Sequence, residues 1–225
     1  MTRSKEACTL SRRGYVMALN MDLWKEHRDI FSPSAKEPQI VKVPPINYLL
    51  IDGEGDPNTS ASFREAIGAL YGMAYTLKFM LKKERGQDFR VMPLSGLFHS
   101  DDPAIFLQGR KNEWRWTLVI ALPPIVKAAD FAKARKMASV KKTASPALPL
   151  VRRGTLKEGL CAQILHRGPY AAERPTIEML HAFIREKGLF FAGSHHEIYL
   201  TDPNRSAPAK MKTIIRQPVR RTGAL

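Results

Sequence analysis

The sequence predicts an α+β fold built by duplication, and three observations carry that prediction. The order strand, helix, strand, strand can be read twice along the 225 residues. The two copies share their punctuation: a glycine after the first strand (Gly55, Gly168), a glycine after the helix (Gly86, Gly188) and a proline stopping the last strand (Pro123, Pro218). Hydrophobic residues make up 44% and charged residues 25%, the usage of a folded domain and not of a disordered chain.

Residues 1–20 lack periodicity and read as an N-terminal extension, with Met21 as a candidate start and residues 220–225 as a tail. "MDLWKEHRDIF" reads as one short amphipathic helix. Prolines 33, 38, 44 and 45 then bracket short extended pieces ahead of "INYLLID", the first strong strand. Asp56-Pro57 supplies a capping residue and a proline suited to the first helical turn, with Ser62-x-x-Glu65 as an alternative capping box. Along the helix Phe63, Ile67, Leu70, Ala74, Leu77 and Leu81 form one apolar stripe, which "KKERG" closes. Tyr71 and Tyr75 flank that stripe, where they could border a cavity. "VMPLSGLFH" and "EWRWTLVIALP" follow as strands and complete a first unit, about residues 40–123. In the second of them Trp114, Trp116, Leu118, Ile120 and Leu122 share a face by period two, so at least one tryptophan is core.

"KAADFAKARKMASVKK" is a basic linking helix, about 127–142, and Pro146 and Pro149 mark the link that follows. The second unit, about 155–219, repeats the order: "GLCAQILHRG" a strand, "PTIEMLHAFIREKG" a helix with Ile177, Leu180 and Ile184 on one side, then the strands "SHHEIYL" and "KMKTIIRQPV". Duplication creates a seam, and seams are where small-molecule pockets form.

The 36 Lys and Arg against 21 Asp and Glu give a net charge of +15, but the cations sit at element ends and in linkers. Without a helix-turn-helix, zinc-finger or RNP-type pattern, the basic surface is read as solvated and no direct nucleic-acid binding is expected. No run approaches the length of a membrane span, and no apolar leader region follows Arg12-Arg13. Cys8 and Cys161 stand far apart without CxxC spacing, which fits a reducing, cytoplasmic setting. "GEG" at 53–55 lacks the lysine of a phosphate loop, and neither Ser95 nor Ser100 has an evident His/Asp partner, so neither nucleotide nor serine-hydrolase chemistry is supported and no cofactor is expected.

The stretch "HHEIYL" carries the candidate chemistry. In a strand His195, Glu197 and Tyr199 point one way and His196, Ile198 and Leu200 the other. The run therefore cannot supply three converging metal ligands, and no metal site is assigned. A carboxylate placed among aromatic rings is costly to desolvate unless a cation or donor pairs with it. Glu197 reads as a counter-charge for a cationic ligand or as a general base, with solvation at an exposed strand edge as the plain alternative.

"HRGPY" at 166–170, the helix end "REKG" and "GSHHEIYLTDPNRSAPAKMKTIIRQPV" resemble the GyrI-like small-molecule-binding domain, also found as the effector-binding domain of multidrug-sensing regulators. "VPPINYLLIDGEGDPN", "YTLKFMLKK" and "WRWTLVIALP" resemble a stand-alone branch of that family, so the likeness spans about residues 21–219. It implies two strand-helix-strand-strand (SHS2-type) modules related by a pseudo-two-fold, an antiparallel sheet with helices on one side, and a ligand cleft between the halves. The regulators hold hydrophobic cations against aromatic walls and a buried glutamate, whose position Glu197 matches. On this likeness Trp116, Tyr75, Tyr71, Phe98, Glu197 and Tyr199 are the expected ligand-binding residues. Some stand-alone members are similar to hydrolases that open the cyclopropane of DNA-alkylating natural products, for which Glu197 and Tyr199 would be the catalytic pair. A third association is a protein partner, DNA gyrase. In "PLSGLFHS" this chain has Phe98 and His99 where stand-alone relatives often carry a tryptophan pair, a smaller wall that bears on the substrate and not on the fold.

Overall fold

The computed structural model describes residues 19–99 and 113–221; most of the predicted N-terminal extension, Ser100 and the end of the tail lie outside them. In chain order the elements are β1 (Leu19–Met21), α1 (Leu23–Glu26), α2 (Arg28–Phe31), β2 (Gln39–Val43), β3 (Ile46–Glu54), α3 (Ala61–Arg85), β4 (Gln87–Phe89), β5 (Leu94–His99) and β6 (Arg115–Leu122). They continue with α4 (Ala128–Ser139), β7 (Arg152–Leu156), β8 (Gly159–Arg167), α5 (Arg174–Glu186), β9 (Phe190–Phe191), β10 (His195–Tyr199) and β11 (Lys212–Arg220).

Nine of these strands form one antiparallel sheet in the order β2-β8-β11-β10-β5-β6-β3-β7, with β9 on β11, while β1 and β4 pair in parallel apart from it. The two predicted units meet at the β10–β5 pairing, where Glu197 lies opposite Gly96 and His195 opposite Phe98. Directly opposed residues point to the same side of a sheet, so Leu118, Gly96, Glu197, Ile215 and Ile164 all share one face.

That face is covered in two places. The stripe on α3, from Phe63 to Leu81, packs with Phe131 and Ala134 of α4 onto Leu49, Ile51, Leu118 and Ile120. Leu180 and Ile184 of α5 pack onto Ile164 and Ile215. Burying one apolar face of each helix is what holds it to the sheet. The opposite face, with Val119, Leu97, Ile198 and Ile214, is closed by Leu23, Ile30 and Phe31 of α1 and α2. The one-sided arrangement of helices therefore holds for α3, α4 and α5, and the N-terminal pair departs from it.

A buried ionic network fastens that pair. Arg216, fully buried, donates to Glu158 Oε2 (3.0 Å), to Gln163 Oε1 (3.0 Å) and to the Ile30 carbonyl (2.6 Å), and His196 Nδ1 meets Glu158 Oε1 at 2.8 Å. Gln163 also donates to the Asp29 carbonyl. The carbonyls of α2, short of partners at the end of a one-turn helix, are thus satisfied from the sheet.

Four local expectations are corrected. "MDLWKEHRDIF" is two one-turn helices and not one, because His27 leaves the helical region (φ −125°, ψ 49°). Asp56 does not cap α3: its carboxylate accepts from the Asn58 amide in a tight turn, and Ser60 caps instead by accepting from Phe63 N at 3.3 Å, which also places Ser62 inside the helix. Strand β7, "RRGTL", was not foreseen; it is a polar edge strand on β3 and carries no apolar alternation. Pro218 does not stop β11, which runs on to Arg220; the proline sits beyond the end of β10, where a missing N–H costs no bond to that strand. The four glycines of the shared punctuation do take positive φ, from 63° at Gly86 to 135° at Gly168, as a turn after a strand or helix requires.

Candidate functional site

Helices α3 and α5 stand over opposite halves of the sheet, and the strip between them is the face of β5 and β10 that carries Gly96, His195, Glu197 and Tyr199. Glu197 is held there on both sides. Tyr199 Oη donates to Glu197 Oε2 at 3.0 Å, and His195 Nε2 lies 3.2 Å from Oε1. An ionised carboxylate can only accept, so in that state the imidazole carries its proton on Nε2. The carboxylate side chain is 14% exposed, reachable but largely out of water. The plain alternative of a fully solvated edge residue does not describe it, since β10 is paired on both sides, to β5 and β11.

Gly96 makes the room. A Cβ there would lie 3.0 Å from Tyr199 Oη and 3.0 Å from the Phe98 ring. Phe98 itself is buried and leans on His195 (centroids 6.4 Å apart) and edge-on against Trp114 (5.4 Å). Tyr71 reaches over from α3 and accepts from Leu94 N at 3.3 Å. Tyr75 and Phe79 continue its stack outward along α3 at 6.3 and 6.1 Å, with Tyr75 45% exposed. Glu197, Tyr199 and Phe98 are thus gathered, Tyr71 flanks them, and Tyr75 lies on the outer surface.

Trp116 is not brought to this cluster. Its ring lies over Gly53, packs edge-on to Phe63 at 4.9 Å and donates its indole N–H to the Gly55 carbonyl at 3.2 Å. At 1% exposure it is core, and Trp114 is the tryptophan that touches the aromatic wall.

Sequence reasoning missed several neighbours. Tyr170, at the end of "HRGPY", starts a short 3-10 turn and meets Tyr199 edge to face at 5.3 Å. Glu173, almost fully buried, follows on the same turn, and His166 Nδ1 bonds Thr176 Oγ1 at 2.9 Å. Burial and then the charges of Glu173 and Glu197 push the Tyr170 phenol up to about 12, and burial and then Glu197 raise Tyr199 well above its ordinary value. Burial likewise lowers His166 below the ordinary histidine range. Both phenols stay protonated donors at neutral pH. The signal for Tyr170 is its place in a motif otherwise rich in turn residues; Glu173 gives none, because an acid before a helix reads as an ordinary cap.

The arrangement can hold a flat or cationic molecule between aromatic edges with a carboxylate beneath, and it sets a carboxylate, an imidazole and two phenols within reach of one another. Among the described residues no His, Cys, Asp and Glu side chains cluster to hold a metal, and no helix is long and apolar enough to cross a membrane.

The chain is similar to several solved structures. A conserved uncharacterized protein from Listeria innocua is 34% identical, with 89% of this chain and 100% of that one covered and a TM-score of 0.81. A structure described as a hydrolase from Listeria innocua is 33% identical over the same shares, with a TM-score of 0.77. The C-terminal domain of EcmrR is 12% identical, covered over 83% of this chain and 98% of that one with a TM-score of 0.53, and shares the fold. The search of curated proteins finds no match. The family model of the GyrI-like small molecule binding domain matches residues 36–219, and the chain belongs to the GyrI-like small-molecule-binding family.

Proposed function

We propose that this protein binds flat aromatic or cationic small molecules in the cleft between its two halves, with Glu197 as the counter-charge and Phe98, Tyr71, Tyr170 and Tyr199 as the aromatic boundary. The observation that carries the reading is Glu197 itself: a carboxylate 14% exposed, held by Tyr199 and His195 opposite Gly96, with no lysine or arginine among the described residues in its hydrogen-bonding set. A cation between those rings would gain both the charge and the ring faces. The two halves are read as modules related by a pseudo-two-fold at the β5–β10 pairing. Strand order supports this, since inside the flanking strands β2 and β7 the halves run β8, β11, β10 and β3, β6, β5, each first, third, second strand going inward.

The test is fluorescence anisotropy with rhodamine 6G, a flat cation, and with a neutral dye of similar size. Glu197→Gln should weaken the cation about tenfold or more, the effect of losing one charge-assisted contact, and leave the neutral dye nearly unchanged. Equal binding of the cation by both proteins would overturn the counter-charge.

A second reading has an observation of its own, the two Listeria structures described as hydrolases at 33% and 32% identity. For a cyclopropane fused to a conjugated ketone, water oxygen would bond to the ring carbon as the ring C–C bond breaks, its electron pair passing to the ketone oxygen. Glu197 would take the water proton, and a phenol would protonate the oxygen. Tyr199 is engaged with Glu197 as found, so it must turn away to serve; Tyr170 is free of that constraint. Mass spectrometry of a cyclopropane-bearing DNA alkylator with substoichiometric protein reads the outcome: repeated formation of a water adduct, lost in Glu197→Gln, makes it a hydrolase, and recovery of unchanged ligand makes it a binding protein.

A further inference from the structure

On the sheet face opposite Glu197, four side chains, from β3, β5, β6 and the residue just before β10, form one hydrogen-bonded line. Ser194 immediately precedes β10 and comes beside His99 at the end of β5, because His195 pairs with Phe98. Ser194 Oγ lies 2.8 Å from His99 Nδ1, His99 Nε2 lies 2.8 Å from Thr117 Oγ1, and Thr117 Oγ1 lies 2.6 Å from Asp52 Oδ1. Arg152 closes the line on Asp52, with contacts of 2.6 and 2.8 Å from Nη2 and 3.1 Å from Nε.

The direction of every bond follows from the last member. Asp52, paired with Arg152, only accepts, and desolvation, which raises its carboxyl, is outweighed by the Thr117 and Arg152 bonds that lower it. Thr117 has one hydroxyl proton and gives it to Asp52, so toward His99 it can only accept. His99 must then carry its proton on Nε2 and present a bare Nδ1 to the Ser194 hydroxyl. Burial and then the nearby Arg115 keep the imidazole below the ordinary histidine range, against the opposing pull of Asp52. A neutral imidazole with its lone pair on a serine hydroxyl, held in that tautomer by a chain ending in a carboxylate, is the arrangement that activates a serine. Ser194 is partly exposed, and it follows Gly193, whose left-handed φ of 60° turns the chain just ahead of the strand.

We propose that Ser194 is an activated nucleophile, that His99 is its base, and that this second site transfers the acyl group of small, unhindered carboxylic esters to water. Ser194 Oγ bonds to the ester carbonyl carbon as its proton passes to His99 Nδ1. The carbon–alkoxide bond then breaks, and that proton leaves with the alcohol. Water adds to the acyl-serine by the same route in reverse and releases the acid. Thr117 and Asp52 are positioning residues, since they act on the ester only through His99.

Full-length protein is treated with diisopropyl fluorophosphate, and the modified residue is located by peptide mass spectrometry, alongside turnover of p-nitrophenyl acetate. The expected result is an adduct on Ser194 in preference to the other serines, with ester turnover lost in Ser194→Ala. Asp52→Asn is the decisive variant. Its amide donates to Thr117, Thr117 then donates to His99 Nε2, and His99 is driven to the tautomer that donates to Ser194 instead of accepting from it. Labelling should fall at least tenfold while the thermal melt changes little, Asp52 being 59% exposed. His99→Gln should do the same, and if it fails to fold Asp52→Asn still decides. No adduct on Ser194 in the unaltered protein, or undiminished labelling in folded Asp52→Asn, would overturn the proposal.

Discussion

Gly96 stands directly under the hydroxyl of Tyr199: a Cβ at residue 96 would lie 3.0 Å from Tyr199 Oη, on the strand that pairs Gly96 with Glu197. The absence of a side chain at one position of β5 is therefore what lets the phenol of β10 settle on the Glu197 carboxylate. Gly96→Ala should displace Tyr199 or Phe98 and cost about 1–3 kcal/mol, the usual penalty of overpacking. Binding of rhodamine 6G should suffer more than stability predicts; urea titration together with dye anisotropy separates the two, and an unchanged affinity would detach Gly96 from the site.

Trp116 behaves as core. Trp116→Phe removes the N–H donated to Gly55 and leaves a gap between Gly53 and Phe63, at a cost of about 1–3 kcal/mol. Dye affinity of the folded protein should change less than twofold. A large loss of affinity without a loss of stability would return Trp116 to the ligand wall.

The Glu158 network makes stability depend on acid. Burial raises the Glu158 carboxyl, but His196 and Arg216 outweigh it and bring the value from 4.5 down to about 2. A depressed folded value means the stabilisation is complete above the unfolded value of 4.5 and is lost as pH falls toward about 2. Glu158→Gln should destabilise the protein at neutral pH by about 3–5 kcal/mol, because Arg216 is left buried without its counter-charge. Across that acid window the variant should lose less stability than the unaltered protein. Urea midpoints measured between pH 2 and pH 7 give the comparison; parallel curves would show that Glu158 is not the group responsible.

Much of the architecture was legible because it is written locally. The three- and four-residue steps from Phe63 to Leu81 mark the buried stripe of α3, and the alternation in "HHEIYL" sends Glu197 and Tyr199 to one face and Ile198 to the other. Where an element lacks an apolar pattern the reading fails, as at β7, whose polar "RRGTL" is ordered by pairing with β3. It fails as well where a side chain chooses a local partner, as Asp56 takes the Asn58 amide instead of capping α3.

The sequence by itself determined the strand-helix-strand-strand order of the two units, the faces of "HHEIYL" and "WRWTLVIALP", and the motifs that resemble the GyrI-like family. Only the tertiary structure decided that β10 lies against β5, that Trp116 is covered while Trp114 meets Phe98, and that Ser194 reaches His99 across 95 residues of chain. The physical reason is the range of the information. Periods of 2 and 3.6 residues are set within a segment by backbone geometry, whereas strand neighbours and the hydrogen-bond lines that cross them are set by which faces bury best together.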